Sequence, residues 1–142
     1  MAIAVRFEAD HRLIHVVVTG TWPTLPEIIA ERSRLILEGV IRPGVVELVD
    51  TRGVTRGIPN LSQMQAILHA IGKPPHRRAV VVGSNVQFGA GRIAETLDPK
   101  GIKVFRDEES ARKWLLDARD ADEPPKVDRS RSGRIAVFKP AE

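Results

Sequence analysis

Three places along the chain carry side chains of the types that do chemistry. Asp50, Thr51 and Arg52 stand together after a run of apolar, β-branched residues. A carboxylate beside a guanidinium can hold a polar ligand or a partner's side chain; the plainer reading is a local ion pair that braces a loop. Ser62 follows Asn60-Leu61, where a helix is expected to begin. The amino end of a helix favours negative charge, so a phosphate on Ser62 would be stabilised there. Otherwise Ser62 is an ordinary first-turn serine. Gly83-Ser84-Asn85 leads to Gly89-Ala90-Gly91-Arg92. Backbone N–H groups and Arg92 could cradle an anion. The spacing matches neither a P-loop nor a dinucleotide fingerprint, and a flexible strand-to-helix loop explains it as well.

Other chemistries lack their parts. The four histidines, His11, His15, His69 and His76, offer no helical i, i+4 pair, because His11 and His15 fall on a turn and a strand. No metal site and no cofactor are expected. Ser62, His69 and Asp50 supply the members of a hydrolytic triad, but no nucleophile elbow surrounds Ser62. No residue is therefore assigned a catalytic role. The chain has no cysteine, which excludes disulfides, zinc–thiolate sites, iron–sulfur clusters and a thiol nucleophile together.

The elements that would position these residues follow from periodicity and capping. Ile3, Val5 and Phe7 alternate with Ala4, Arg6 and Glu8, the period of a half-buried strand. A turn at Asp10-His11 leads to a second strand over Leu13 to Thr19, which closes an antiparallel hairpin. After the breaker Gly20-Thr21-Trp22-Pro23, Thr24 and Glu27 form a capping box with Pro26 in the first turn. Leu25, Ile28, Ile29, Arg32, Leu35 and Ile36 keep helical spacing. Val45 to Val49 predicts a third strand ending at Asp50, and Thr51 to Pro59 a loop. Asn60 and Gln63 repeat the capping-box spacing. They open a helix whose apolar face is Leu61, Met64, Ile67, Leu68 and Ile71, and Gly72 with Pro74-Pro75 ends it. Arg78 to Gly83 predicts a fourth strand, and Asn85 to Leu97 a weaker helix. Gly89 and Gly91 each cost that helix about 1 kcal/mol relative to Ala and leave its first half open to a loop reading. Ile102 to Phe105 and Asp107 to Arg119 predict the last strand and helix, with Trp114 on the buried stripe. Trp22, in a loop, could cap the sheet or line a pocket.

The fold class is therefore α/β: a single domain with a five-stranded, mixed but mainly parallel sheet, an N-terminal antiparallel hairpin and about four helices. The domain is expected over 1–119. Residues 120–142 read as a polar, largely disordered tail, within which Ile135 to Phe138 could add as an edge strand. The chain of 142 residues is 42% apolar and 28% charged, enough to close one core without staples. Its net charge of +4 sits on the body, where basic residues are scattered apart from Arg77-Arg78. Four Phe, two Trp and no Tyr leave few platforms for base stacking, so no specific nucleic-acid partner is expected. The N-terminus lacks the pattern of a signal peptide. No apolar stretch reaches the roughly 18 residues that a membrane span requires. A cytoplasmic location is the expectation.

The element order, the hairpin leading into Gly20-Thr21-Trp22, the strand Val46-Glu47-Leu48-Val49-Asp50 and the closing Val104-Phe105…Ala111…Trp114-Leu115 resemble the SpoIIAA-like proteins. These are relatives of STAS domains and are also compared with the SEC14 lipid-binding fold. The resemblance spans roughly residues 4 to 116. It implies a non-enzymatic regulatory or protein-interaction module with a protein partner or a homodimer. In anti-sigma-factor antagonists of this type a phosphorylatable serine lies in an Asp-Ser-Ser-Gly-like motif. The matching region here reads Ile58-Pro59-Asn60-Leu61-Ser62, so Ser62 is the nearest counterpart without the motif. The alternative is a carrier or sensor of a small anionic or lipidic ligand, bound at the carboxyl edge of the sheet through Asp50, Arg52, Ser62 and Arg92.

Overall fold

The computed structural model describes residues 2–72 and 77–122. The expectations for Pro74-Pro75, for His76 and for a tail with an edge strand at 135–138 lie outside the described residues. Strand β1 (Ala2–Glu8) and strand β2 (Leu13–Thr21) form the predicted antiparallel hairpin, closed by a short 3-10 turn at Ala9–His11. Helix α1 (Leu25–Leu37), β3 (Val46–Arg56), α2 (Leu61–Ile71), β4 (Arg78–Val81), α3 (Asn85–Leu97), β5 (Ile102–Phe105) and α4 (Glu108–Asp122) follow in turn. The sheet order is β1-β2-β3-β4-β5, with every pair after the hairpin parallel. When successive strands are laid down in one direction, right-handed crossovers carry their helices to one face. So α1, α2 and α3 share a face, and α4, which follows the last strand, covers the other.

Both capping boxes form. Thr24 Oγ1 accepts from the Glu27 amide at 3.3 Å and the Glu27 carboxylate accepts from the Thr24 amide at 2.8 Å. Asn60 and Gln63 do the same at 2.9 and 3.0 Å. Helix α4 runs past Arg119 to Asp122. Its Ala111 and Leu115 pack on Leu13, Leu48 and Val81 in one core cluster. On the opposite face Met64, Ala94 and Ile102 form a smaller one.

One expectation is corrected. The segment after Asp50 is not a loop: β3 continues to Arg56, because β2 runs on beside it and pairs Thr19 with Gly53, Gly20 with Val54 and Thr21 with Arg56. Gly53 marks a close strand approach there rather than a turn. A Cβ on it would meet Thr19 Cγ2 at 2.8 Å. Helix α3 spans the expected Asn85–Leu97, complete through its glycines, so the loop reading of its first half falls away. Ser84 caps it by accepting from the Gln87 amide at 3.1 Å, and Gly91 lets it press onto β5, where a Cβ would lie 2.5 Å from Val104 Cγ2.

Candidate functional site

Alternation along the strands sorts the chemistry onto two faces of the sheet. Leu48, Asp50 and Arg52 point towards α4, and Glu47, Val49 and Thr51 towards α1–α3. On the α4 face, Asp50 accepts from the Arg52 amide and Nε at 3.0 Å each and from Nη2 at 2.8 Å. Burial works to raise its pKa, but the Arg52 hydrogen bonds outweigh it and hold the carboxyl below its ordinary range. Arg52 Nη2 also lies 3.5 Å from Glu108. Arg112, one turn along α4, bonds Glu108 at 2.8 Å and grips both oxygens of Glu8 on β1 at 2.9 and 2.7 Å. That grip holds Glu8 below its usual pKa. His15 sits among them, buried, with Nδ1 3.1 Å from Arg6 Nη2 and no partner at Nε2.

One ligand atom each from His15, Asp50 and Glu108 lies within 4.8 Å of the others. These are metal-ligand types that sequence spacing did not connect. Yet Asp50 and Glu108 are already taken by guanidinium groups, and Arg6, Arg52 and Arg112 balance Glu8, Asp50 and Glu108. The arrangement reads as an ion-pair network that fastens α4 to the sheet. Asp50 and Arg52 thus take the bracing role.

Ser62 and Arg92 do not join them. Ser62 is exposed at the second position of α2. Arg92 lies on the outer side of α3, paired with Glu95 at 2.9 Å, and borders a shallow depression shared with Leu61 and Leu97. His69 is exposed on α2 and Asp50 faces α4, so no triad assembles with Ser62. At the Gly-rich approach, the Gly83 amide donates to Gln87 Oε1 at 2.7 Å and the Gln87 amide to Ser84. The turn uses those donors itself.

The concave feature is on the other face. A cavity of about 160 Å³ lies between the sheet and α1–α3, lined by apolar side chains such as Val16, Val49, Val80, Met64, Ile67 and Leu68. A few polar groups interrupt the lining. Gln87 is satisfied within the fold: its Nε2 donates to the Val54 carbonyl at 2.8 Å. Thr51 donates to the Val81 carbonyl at 2.8 Å. Glu47, Arg78 and Trp22 are not. Glu47 and Arg78 are register partners on β3 and β4, both nearly fully buried. A single oxygen, Glu47 Oε1, accepts from Arg32 Nη1 at 3.0 Å and from Arg78 Nε at 3.3 Å. Burial works to raise the Glu47 pKa, and the Arg78 and Arg32 charges outweigh it and lower it. Glu47 Oε2, both Arg78 Nη atoms and Trp22 Nε1 are buried with no hydrogen-bond partner. Trp22 lines the cavity, one of the two roles its loop position left open. In the sequence, Glu47 and Arg78 show only as single charges in apolar strands, and their meeting depends on a parallel register that no local pattern prints.

No protein-family model matches the sequence, and no curated protein matches it. The architecture is similar to that of a solved, uncharacterised protein of the DUF3478 family with a SpoIIAA-like fold from Shewanella loihica PV-4. The TM-score is 0.57 at 22% identity, covering 80% of this chain and 92% of that one. At that identity the likeness is one of fold, and the chain has a SpoIIAA-like α/β fold. Among the described residues, no helix is long and apolar enough to cross a membrane.

Proposed function

We propose that this SpoIIAA-like domain is a non-enzymatic binding module that encloses a small apolar molecule between its sheet and α1–α3. The observation that carries the reading is the apolar cavity of about 160 Å³. Protein interiors close-pack, and a cavity of roughly 150 Å³ with apolar walls takes a benzene-sized guest. The helices over it are suited to admit one. Of the apolar face of α2, only Met64 is buried, while Ile67, Leu68 and Ile71 stay half-buried. The site lies on the sheet face, not at the carboxyl edge to which Asp50 and Arg52 pointed, because those two residues spend their charges on each other.

A second reading, a protein-interaction module, is favoured by the end of α1. Ile36 and Leu37 are 55% and 87% exposed there, an apolar pair that a partner or a second copy could cover. One experiment separates the two. Native mass spectrometry of the full chain is expected to show a monomer carrying a small-molecule adduct. Ala90→Phe, which fills the cavity from α3, is expected to lose the adduct and keep its circular dichroism. A dimer without an adduct would replace the first reading by the second. A bare monomer whose melting temperature no apolar probe raises would remove the cavity reading.

A further inference from the structure

We propose that the free edge of the sheet at β1 is an interaction surface for the chain's own segment Ile135-Ala136-Val137-Phe138, which lies outside the described residues and pairs with β1 as an added strand. The proposal does not depend on what fills the cavity. Among the described residues the sheet ends at β1 and at β5, and the two edges are unlike. β5 has four residues, with Lys103 exposed; shortness and a lysine are common guards of an edge. β1 has seven residues and neither lysine nor proline. Its two charged residues are engaged on the α4 face, Arg6 with His15 and Glu8 with Arg112. Such an edge leaves a row of backbone donors and acceptors open to a further strand. Its apolar face is unfinished as well. Ile3 and Phe7 stay half-buried, although their register partners on β2, Val18 and Ile14, are buried.

The occupant follows from where α4 delivers the chain. Near its end, Arg119 Nη1 donates to the carbonyls of His11 and Arg12, in the turn directly after β1. Residues 123–134 then separate Asp122 from Ile135. Extended, they reach about 40 Å, whereas β1 is about 23 Å long at roughly 3.3 Å per residue. The whole edge is within range. Ile135 to Phe138 is the one run of four apolar residues after Asp122, and Lys139-Pro140 bounds it. Ile135 and Val137 are two apart, so in a strand they share a face and would continue the stripe of Ile3 and Val5. A short tether holds such a segment at an effective concentration on the order of millimolar. A second copy of the chain, at micromolar concentration, competes poorly for the same edge. Ile3 and Val5 also line the cavity, so the added strand would widen the cavity wall at its β1 side.

Amide hydrogen exchange on the full chain tests this, read by mass spectrometry in wild type and in Val137→Pro. Proline removes a ladder donor, and position 137 lies outside the described elements, so their fold is kept. In monomeric wild type the amides of 135–138 are expected to exchange at least tenfold more slowly than in a free peptide of the same sequence. Val137→Pro is expected to abolish that protection and to speed exchange in 2–8 at least tenfold, with β3 and β4 unchanged. Free exchange of 135–138 in wild type would overturn the proposal. So would protection of 135–138 with no response of β1 to Val137→Pro, which would place the segment elsewhere. Protection that rises with protein concentration, alongside a dimer in sedimentation, would mean that a second copy covers the edge, and would overturn pairing within one chain.

Discussion

His15 lies where β1, β2, β3 and the first turn of α4 meet, and its surroundings pull in opposite directions. Burial lowers its pKa, with Arg112 and Arg6 adding to that, and Glu108 and Glu8 oppose it; the balance is downward. A histidine that resists protonation in the fold binds its proton more readily when unfolded. Its contribution is whole above the unfolded value of about 6.5 and is lost as pH falls through that value towards the folded pKa. Glu8 acts lower. Its folded pKa is depressed by Arg112, so its contribution holds above the ordinary glutamate value and is lost as pH falls through the folded one. Urea midpoints measured against pH are expected to decline in two stages, and His15→Gln to flatten only the upper one. An unchanged upper stage would show that another group titrates there. Of this network, the sequence made the Asp50–Arg52 pair legible, because two residues of one strand meet without help from topology. Arg112 and Glu8 are separated by 104 positions, and only the completed sheet and α4 bring them together.

At the scale of the element, glycine carried two different messages in one helix. Gly89 has nothing within 4 Å of where a Cβ would stand, whereas Gly91 faces Val104 at 2.5 Å. Gly89→Ala is expected to stabilise the protein by about 1 kcal/mol through helix propensity. Gly91→Ala is expected to destabilise it by about 1–3 kcal/mol through overpacking. Chemical denaturation reads both, and equal effects would mean that α3 does not press on β5. Spacing alone counted both glycines against the helix, since the requirement at Gly91 comes from Val104, on the strand that follows the helix. The helix starts were legible because a capping box is complete within four residues. The end of β3 was not, because its last residues are held by β2 across the sheet and not by any pattern of their own.

At the scale of the molecule, the two faces of the sheet are finished differently. One face is sealed by α4 with Ala111 and Leu115 against Leu13, Leu48 and Val81, and the ion pairs of Arg112 close its margin. The other carries three helices and retains a cavity. The sequence gives the helix count and the sheet type through alternation and capping. It does not reveal an interior left unfilled, because an apolar stripe that lines a space has the same spacing as one that fills it. The sequential strand order has a consequence for how the chain is made. Each strand pairs with the one synthesised just before it, so the sheet can assemble in the order in which it leaves the ribosome. The α4 face alone must wait for the last described helix. A chain stopped after Phe105 is expected to form the sheet yet leave Leu13, Leu48 and Val81 bare, and to sediment as aggregate unless α4 is added back as a peptide. A soluble, monomeric truncation would show that the growing chain does not need that final cover.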